Sequence, residues 1–486
     1  MKLRSPKSVF AFSLVLLLGV FAFAGGFLFV RAHFNEEREA ASTGEDREGE
    51  GESRDAWFYE QRAYPLKGIP AGARAKALKD ADELETRHRQ RLGFIGGVLS
   101  PAETMAEEQA QQAWQSLGPN PIGQQIGRFP INFGDVRTAC AGRVSAIAIH
   151  PQYNGTSNQT VYLGAAQGGI WRTTDNGATW TPLTDNQPSL AIGDIAIDPN
   201  NPNVIWAGTG EGSPTSGANY YGAGLLKSND GGNTWQVIVG PNSTIAPIQP
   251  VFINTGVLKI EIDPTNSNTV YVTTSVGKFT TAASSPFVNA PLGQRGLWKT
   301  SDGGQTWTNL SVTQDGGRIS ATDVFTDPLD RNRVFAAMSA DGVYGSDNGG
   351  QSWTYLEGGL PSSGFTRIVL AVGPPVGSSA NSTLYAGFAA TDGTLLGIWR
   401  STSNGASWTQ VTTPQDRGQA NYNLALVADP TDGNTIYYAT SLNDTNDGGT
   451  LWRSTNGGQA WTDISFGDGT TGGLHADSHV IAIARG

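Results

Sequence analysis

Apolar and polar side chains alternate with a period of two in short runs that recur along the second two thirds of this chain. Six runs align: VSAIAIHP (144–151), IGDIAIDP (192–199), VLKIEIDP (257–264), ATDVFTDP (321–328), the looser IVLAVGPP (368–375) and NLALVADP (423–430). That period puts successive side chains on opposite faces of an extended strand. A second β-branched or aromatic segment follows each run (TVYLGA, VIWAGT, TVYVTT, RVFAAM, TLYAGF, TIYYAT), then a third such as GIWRTT or GLWKTS. Gly, Asn and Asp clusters separate them, as turns between short strands require. A fourth strand is expected to start at the Trp that closes the unit, as in TWTPLTD. One small sheet cannot bury both faces alone, so successive sheets should stack radially as a β-propeller over 114–486.

The third and fourth strands are joined by an eight-residue element: TTDNGATW (173–180), SNDGGNTW (228–235), TSDGGQTW (300–307), SDNGGQSW (346–353), STSNGASW (401–408) and STNGGQAW (454–461). Its third, fifth and eighth positions are Asp175, Gly177 and Trp180; Asp230, Gly232 and Trp235; Asp302, Gly304 and Trp307; Asn348, Gly350 and Trp353; Ser403, Gly405 and Trp408; Asn456, Gly458 and Trp461. A short polar side chain at the third position can accept turn N–H groups, Gly can adopt the left-handed conformation, and Trp can pack beneath the turn. Calcium binding fails on ligand count. Asn186, Pro241 and Thr313 stand where a calcium loop needs a bidentate Glu, and later copies lose the first Asp. The elements read as structural staples.

WQSLGP (114–119) matches the fourth strands but precedes the first full unit, and HVIAIARG (479–486) resembles a first strand. The expected architecture is therefore six full blades and an incomplete seventh, as in a fragment of a longer chain; the rival is a six-unit ring with loose terminal strands. Both versions expect 479–486 to be clipped readily by a protease.

Lys2, Arg4 and Lys7 precede an uncharged run, Val9–Val30, and Ala22-Phe23-Ala24 resembles a cleavage site. Residues 1–30 thus read as a signal peptide or an uncleaved signal anchor, and either sends the chain outward to a secreted or membrane-anchored location. Residues 31–70 form an acidic spacer whose stretch 36–55 holds nine acidic and three basic residues and no large apolar one. Residues 71–113 contain two expected helices, 71–93 and 101–113, forming a stalk or packing on the domain that follows. The net charge of −11 without a basic stripe argues against nucleic acid. One cysteine, Cys140, excludes an intrachain disulfide. No cofactor is expected.

The S-x-D-x-G-x-T-W element resembles the Asp-box, or bacterial neuraminidase repeat, shared by sialidases, xyloglucan-active glucanases and sortilin-type receptors. GGIWRTTDNGATWTPLTD and GTGEG…YYGAGLLKSNDGGNTW look closest to exported bacterial sortilin-like repeat proteins. The resemblance implies the propeller but is shared by enzymes and binders. Sialidases would bring a carboxylate-binding Arg triad and a Tyr–Glu nucleophile pair. Arg128 in GRFP and Arg143 are partial matches for the first, and Glu211 with Tyr220 and Tyr221 for the second. Xyloglucan-active propellers would place a catalytic Asp where this chain has Ala166.

Among polar clusters, HADSH (475–479) puts His475, Asp477 and His479 on one face of an extended strand, a candidate metal or acid–base set. Its ordinary alternative is a hydrogen-bonded entry to a strand. The sequence thus favours an exported propeller that binds a glycan, protein or peptide at the channel mouth around Glu211, Tyr220 and Tyr221. A sialidase-like glycoside hydrolase is the alternative, with Glu211, Tyr221, Asp477, Arg128 and Arg143 as its catalytic candidates.

Overall fold

A computed structural model of the protein describes residues 143–464 and 479–484 apart from 213–219, 221, 243, 245–249, 276–293, 311, 314–318, 415–417 and 440–450, together with scattered positions from Arg74 to Thr86. The expected leader, the acidic spacer, the second helix and WQSLGP lie outside the described residues. Lys76–Ala81 is helical, and the Arg74 guanidinium donates to the carbonyls of Asp185 (2.7 Å) and Gln187 (3.0 Å) in the link after blade 1. No helix among the described residues is long and apolar enough to cross a membrane.

Six four-stranded antiparallel sheets, each made of consecutive strands in simple order, form the propeller blades. Blade 1 runs through Val144–Ile149, Val161–Ala165, Gly169–Thr173 and Thr181–Pro182. Blades 2 to 6 begin with first strands Ile192–Ile197, Gly256–Ile262, Ala321–Thr326, Phe365–Gly373 and Ala425–Ala428, each packed against its predecessor. The core lies between blades. Ala146, Tyr162 and Ile170 of blade 1 cluster with Ile192, Ile195 and Ile205 of blade 2, and four further clusters repeat the arrangement around the series. Second strands sandwiched between neighbouring sheets are buried throughout, as in Ile205–Thr209 and Val334–Met338. Each fully buried Ile or Val there contributes about 1.5–3 kcal/mol, more than a small sheet could gain alone.

The eight-residue element is a hydrogen-bonded staple in every blade. In blade 1 the Thr173 hydroxyl accepts the Gly177 N–H at 2.9 Å, while Asp175 accepts the Thr179 N–H at 2.8 Å and its hydroxyl at 2.6 Å. Asn348, Ser403 and Asn456 take the same N–H four residues on, at 2.9, 3.0 and 2.9 Å, so loss of the acid leaves the staple intact. The fifth-position glycines have φ between 82° (Gly405) and 96° (Gly304), and the fourth position is left-handed as well. The hydroxyl at the first position, which sequence reasoning left without a role, closes each turn.

Two expectations need correcting. Fourth strands begin one residue after the Trp and span two or three residues, because the Trp backbone still belongs to the exit from the turn. In blade 5 the first strand starts at Phe365, three residues ahead of the aligned run, and pairs Phe365 with Ala390 and Arg367 with Ala389. Among the described residues the blades number six, and residues 479–484 form no strand.

Candidate functional site in the central channel

The first strands of blades 1 to 5 share one irregularity near their start. The ladder shifts between Val144 and Ala146, Ile192 and Asp194, Ala321 and Asp323, and Phe365 and Arg367, and in blade 3 opposite Val257 and Lys259. A bulge of this kind re-aims the residue that follows it. In blades 1 and 4 the bulged residue itself locks onto the next blade: the Ser145 hydroxyl donates to the Ile192 carbonyl (2.5 Å) and that of Thr322 to the Ile368 carbonyl (2.7 Å). In blade 2 this residue is Gly193, where an added Cβ would stand 1.8 Å from the Val257 carbonyl oxygen.

The residue after the bulge is Asp194, Lys259, Asp323 and Arg367 in blades 2 to 5, an alternation of sign from blade to blade. All four line one cavity of about 160 Å³, together with Glu211, Tyr422 and His479. Asp194 accepts the Ile260 N–H of the next blade at 2.7 Å, and Lys259 Nζ lies 3.9 Å from the same carboxylate and 5.1 Å from the Phe325 ring centre. Burial opposes the charge on Lys259, but Asp194, Asp323 and Glu261 outweigh it and hold its pKa above the ordinary value. Asp323 accepts N–H groups from Val324 and Leu370. Burial pushes its carboxyl up to about 7 against the opposing pull of Lys259, those two bonds and Arg367. Burial also lowers Arg367, to about 10, while Asp323 and Glu211 resist the change.

Glu211 enters from the top of blade 2. Gly210, at φ 82°, turns the chain out of the second strand and is fixed on both sides, its N–H on the Ala191 carbonyl and its carbonyl on the Val257 N–H. Glu211 is then 8% exposed and forms an ion pair with Arg143. Burial raises its carboxyl to about 7, with Arg143 and Arg367 pulling the other way. Arg143 lies over the Tyr422 ring at 5.2 Å, and His479 meets the same ring edge-on at 4.7 Å. The Arg367 guanidinium donates to the Tyr422 carbonyl at 2.5 Å. Glu211 and Asp323, from blades 2 and 4, thus share one cavity and the influence of Arg367, with both carboxyls pushed by burial to about 7, a pattern typical of functional sites.

Of the residues singled out by sequence, Glu211 and His479 line this cavity, and Arg143 reaches it through Glu211 and the Tyr422 ring. Tyr220 is half-buried and donates its N–H to the Glu211 carbonyl at 3.0 Å. Tyr221, Arg128, His475 and Asp477 lie outside the described residues, and no metal-binding group of side chains occurs among the described ones. Ala166 is 4% exposed and bonds its N–H to the Arg143 carbonyl at 3.0 Å. The sequence reading missed Asp194, Lys259, Asp323, Arg367 and Tyr422. The signal was present for three of them: a charge at the third position of an otherwise apolar alternating run. Arg367 was hidden by aligning blade 5 on its Pro-Pro instead of its bulge.

No protein-family model matches the chain. Among curated proteins it is similar to the xyloglucanase Xgh74A of Acetivibrio thermocellus, 24% identical over 210 residues, covering 41% of this chain and 22% of that protein. It is also 25% identical over 365 residues to a xyloglucanase of Hypocrea jecorina, covering 66% of this chain and 38% of the relative. The chain thus spans less than two fifths of the length of these relatives. Among solved structures, a Niastella koreensis GH74 enzyme is similar with a TM-score of 0.44 at 24% identity, covering 66% of this chain and 45% of that one.

Proposed function

We propose that this chain is an exported glycan-binding propeller whose ligand is a β-glucan of the xyloglucan kind, held at the channel mouth around Glu211, Arg143 and Tyr220. The similarity to xyloglucanases supplies the ligand class. The observation that carries binding over cleavage is Ala166: the resemblance to xyloglucan-active propellers puts a catalytic Asp at this position, and the residue present has no carboxyl and a buried side chain. Recognition would rest on hydrogen bonds from Arg143 and Glu211 and on aromatic contact with the Tyr220 region, with no covalent step. Anchoring by Val9–Val30, or secretion after its removal, would present the propeller outside the cell.

A second reading is hydrolysis, and one observation favours it. Glu211 and Asp323 share a cavity and are both raised to about 7, the condition under which one carboxyl can donate a proton while another is ionised. Affinity electrophoresis in xyloglucan, paired with an assay for new reducing ends, separates the two. Binding expects retarded migration without reducing ends. Release of reducing ends that disappears in both Glu211→Gln and Asp323→Asn would replace the binding reading with the hydrolytic one, and neither retardation nor release would dismiss both.

A further inference from the structure

The wall of the channel cavity divides into a charged arc and an apolar arc. Blades 2 to 5 supply Asp194, Lys259, Asp323 and Arg367, whereas blade 6, whose first strand pairs without a bulge, supplies Leu424, Ala425 and Leu426. Phe325 and Val369 stand two residues after Asp323 and Arg367, hence on the same face of their strands, and line the cavity as well. The charged side therefore gives way to an apolar one along the channel.

The charged arc does not satisfy itself. Among the described residues Lys259 Nζ makes no hydrogen bond, since the nearest carboxylate oxygen, on Asp194, lies at 3.9 Å. Arg367 donates to the Tyr422 carbonyl, but its Nε is buried with no acceptor. Asp323 uses its two oxygens on the Val324 and Leu370 N–H groups instead of on either cation. Glu211 commits one oxygen to Arg143. Each carboxylate oxygen has two lone pairs, so acceptor capacity is left on the same wall as unused donors. A buried guanidinium nitrogen without a partner calls for an explanation beyond the stability of the ring of blades.

Charge selects against an ionic ligand. Asp194, Asp323 and Glu211 face Lys259, Arg367 and the Arg143 that pairs with Glu211, so an ion of either sign meets like and opposite charges in equal number. A hydroxyl, by contrast, donates to a carboxylate while it accepts from a cation. Several hydroxyls set around one carbon ring match a wall on which donors and acceptors alternate from blade to blade. Size sets the second limit. A cavity of about 150 Å³ admits benzene, and this one measures about 160 Å³, room for one six-membered ring at a time. Phe325, Val369 and Leu426 offer the C–H face of such a ring an apolar surface.

We infer that the channel cavity is a subsite for a single neutral pyranose, the end unit or a one-sugar branch of a glycan. Its hydroxyls bridge Lys259 and Arg367 to the carboxylates of Asp194, Asp323 and Glu211, and its carbon face lies toward Phe325 and Val369. The subsite rests on the glycan reading above for its ligand class and sharpens it. It selects chain ends and branches over the interior of a backbone, whose linked neighbours on both sides a cavity for one ring cannot enclose. Glu211 joins the two regions, because it lines the cavity and belongs to the group proposed to hold glycan at the mouth.

The test titrates the full chain with D-xylose, D-glucose and D-galactose. Binding is read from the methyl NMR signals of Val369 and Leu426 and, separately, from reversal of retardation in xyloglucan gels. At least one sugar is expected to bind with a roughly millimolar Kd, to move both methyl signals and to release the protein from the polymer. Lys259→Met should weaken that sugar about tenfold or more, as loss of a hydrogen bond from a charged donor does. Val369→Phe fills the cavity from its apolar side and leaves every charge in place. It should abolish sugar binding with the cooperative melting transition retained. Retardation by xyloglucan with no free sugar bound, or with sugar binding indifferent to Val369→Phe, overturns the subsite and leaves the glycan reading standing. Sugar binding that Val369→Phe blocks, without retardation, upholds the subsite and overturns the choice of polymer. Acetate or tetramethylammonium moving the same methyl signals at lower concentration than any sugar overturns the neutral ligand. Neither sugar binding nor retardation overturns both readings.

Discussion

The Asp323 carboxylate of blade 4 accepts the backbone N–H of Leu370, on the first strand of blade 5, at 2.8 Å. Asp194 of blade 2 does the same for Ile260 of blade 3, two blade intervals earlier, at 2.7 Å. Two of the charges in the channel are therefore also bolts between neighbouring blades, and this dual use bears on how each substitution in the channel should behave.

Asp323→Ala leaves the Leu370 N–H buried without its acceptor, and should destabilise the protein by about 2–4 kcal/mol. Asp323→Asn retains one acceptor oxygen and should cost less. Chemical denaturation of both variants checks the order; equal stability of Ala and wild type would show that the bond between blades contributes nothing.

Stability should peak in mildly acidic solution. Glu211 and Asp323 have folded pKa values raised to about 7, so their contribution is full below the ordinary carboxylate range and is lost as pH rises through 7. Asp175 and Asp230 have folded values lowered to about 2, first by the Thr179 and Thr234 hydroxyls, so theirs is full above the ordinary range and is lost as pH falls toward 2. Melting temperature measured from pH 2 to 9 should pass through a maximum between about 4 and 6. A maximum above pH 8 would contradict the assignment.

Removing Arg143 takes away the opposite charge that opposes the burial effect on Glu211. In Arg143→Met the Glu211 titration should therefore move above 7, observable by carboxyl-selective infrared or NMR titration against Glu211→Gln as the blank. A downward move would mean that the ion pair does not control this carboxyl.

Two glycine substitutions separate backbone strain from crowding. Gly364 has φ 83° with nothing within 4 Å of an added Cβ, whereas at Gly304, φ 96°, that atom would stand 2.6 Å from the Trp206 ring. Gly364→Ala should cost about 1–2 kcal/mol, the left-handed penalty alone. Gly304→Ala should cost about 1–3 kcal/mol more, because the core between blades 2 and 3 must move. Equal losses would assign the whole cost to the backbone.

The sequence by itself determined the blade count among the described residues, the strand order within each blade and the staple at every outer turn. These follow from local rules: a period of two, glycine where φ must be positive, and a short polar side chain within reach of its own turn. Asn348, Ser403 and Asn456 could be read as equivalents of Asp175 because the bonds they make span only four residues. Glu211 and Arg143 were visible as candidates, but not as partners. Only the tertiary structure brought them together, 68 residues apart in sequence, and only it aligned Arg367 with Asp194, Lys259 and Asp323. That alignment depends on a one-residue bulge, which reverses the facing of everything after it and leaves no local trace in composition. The near-neutral carboxyls likewise required burial by neighbouring blades, a property that no single segment of the chain possesses.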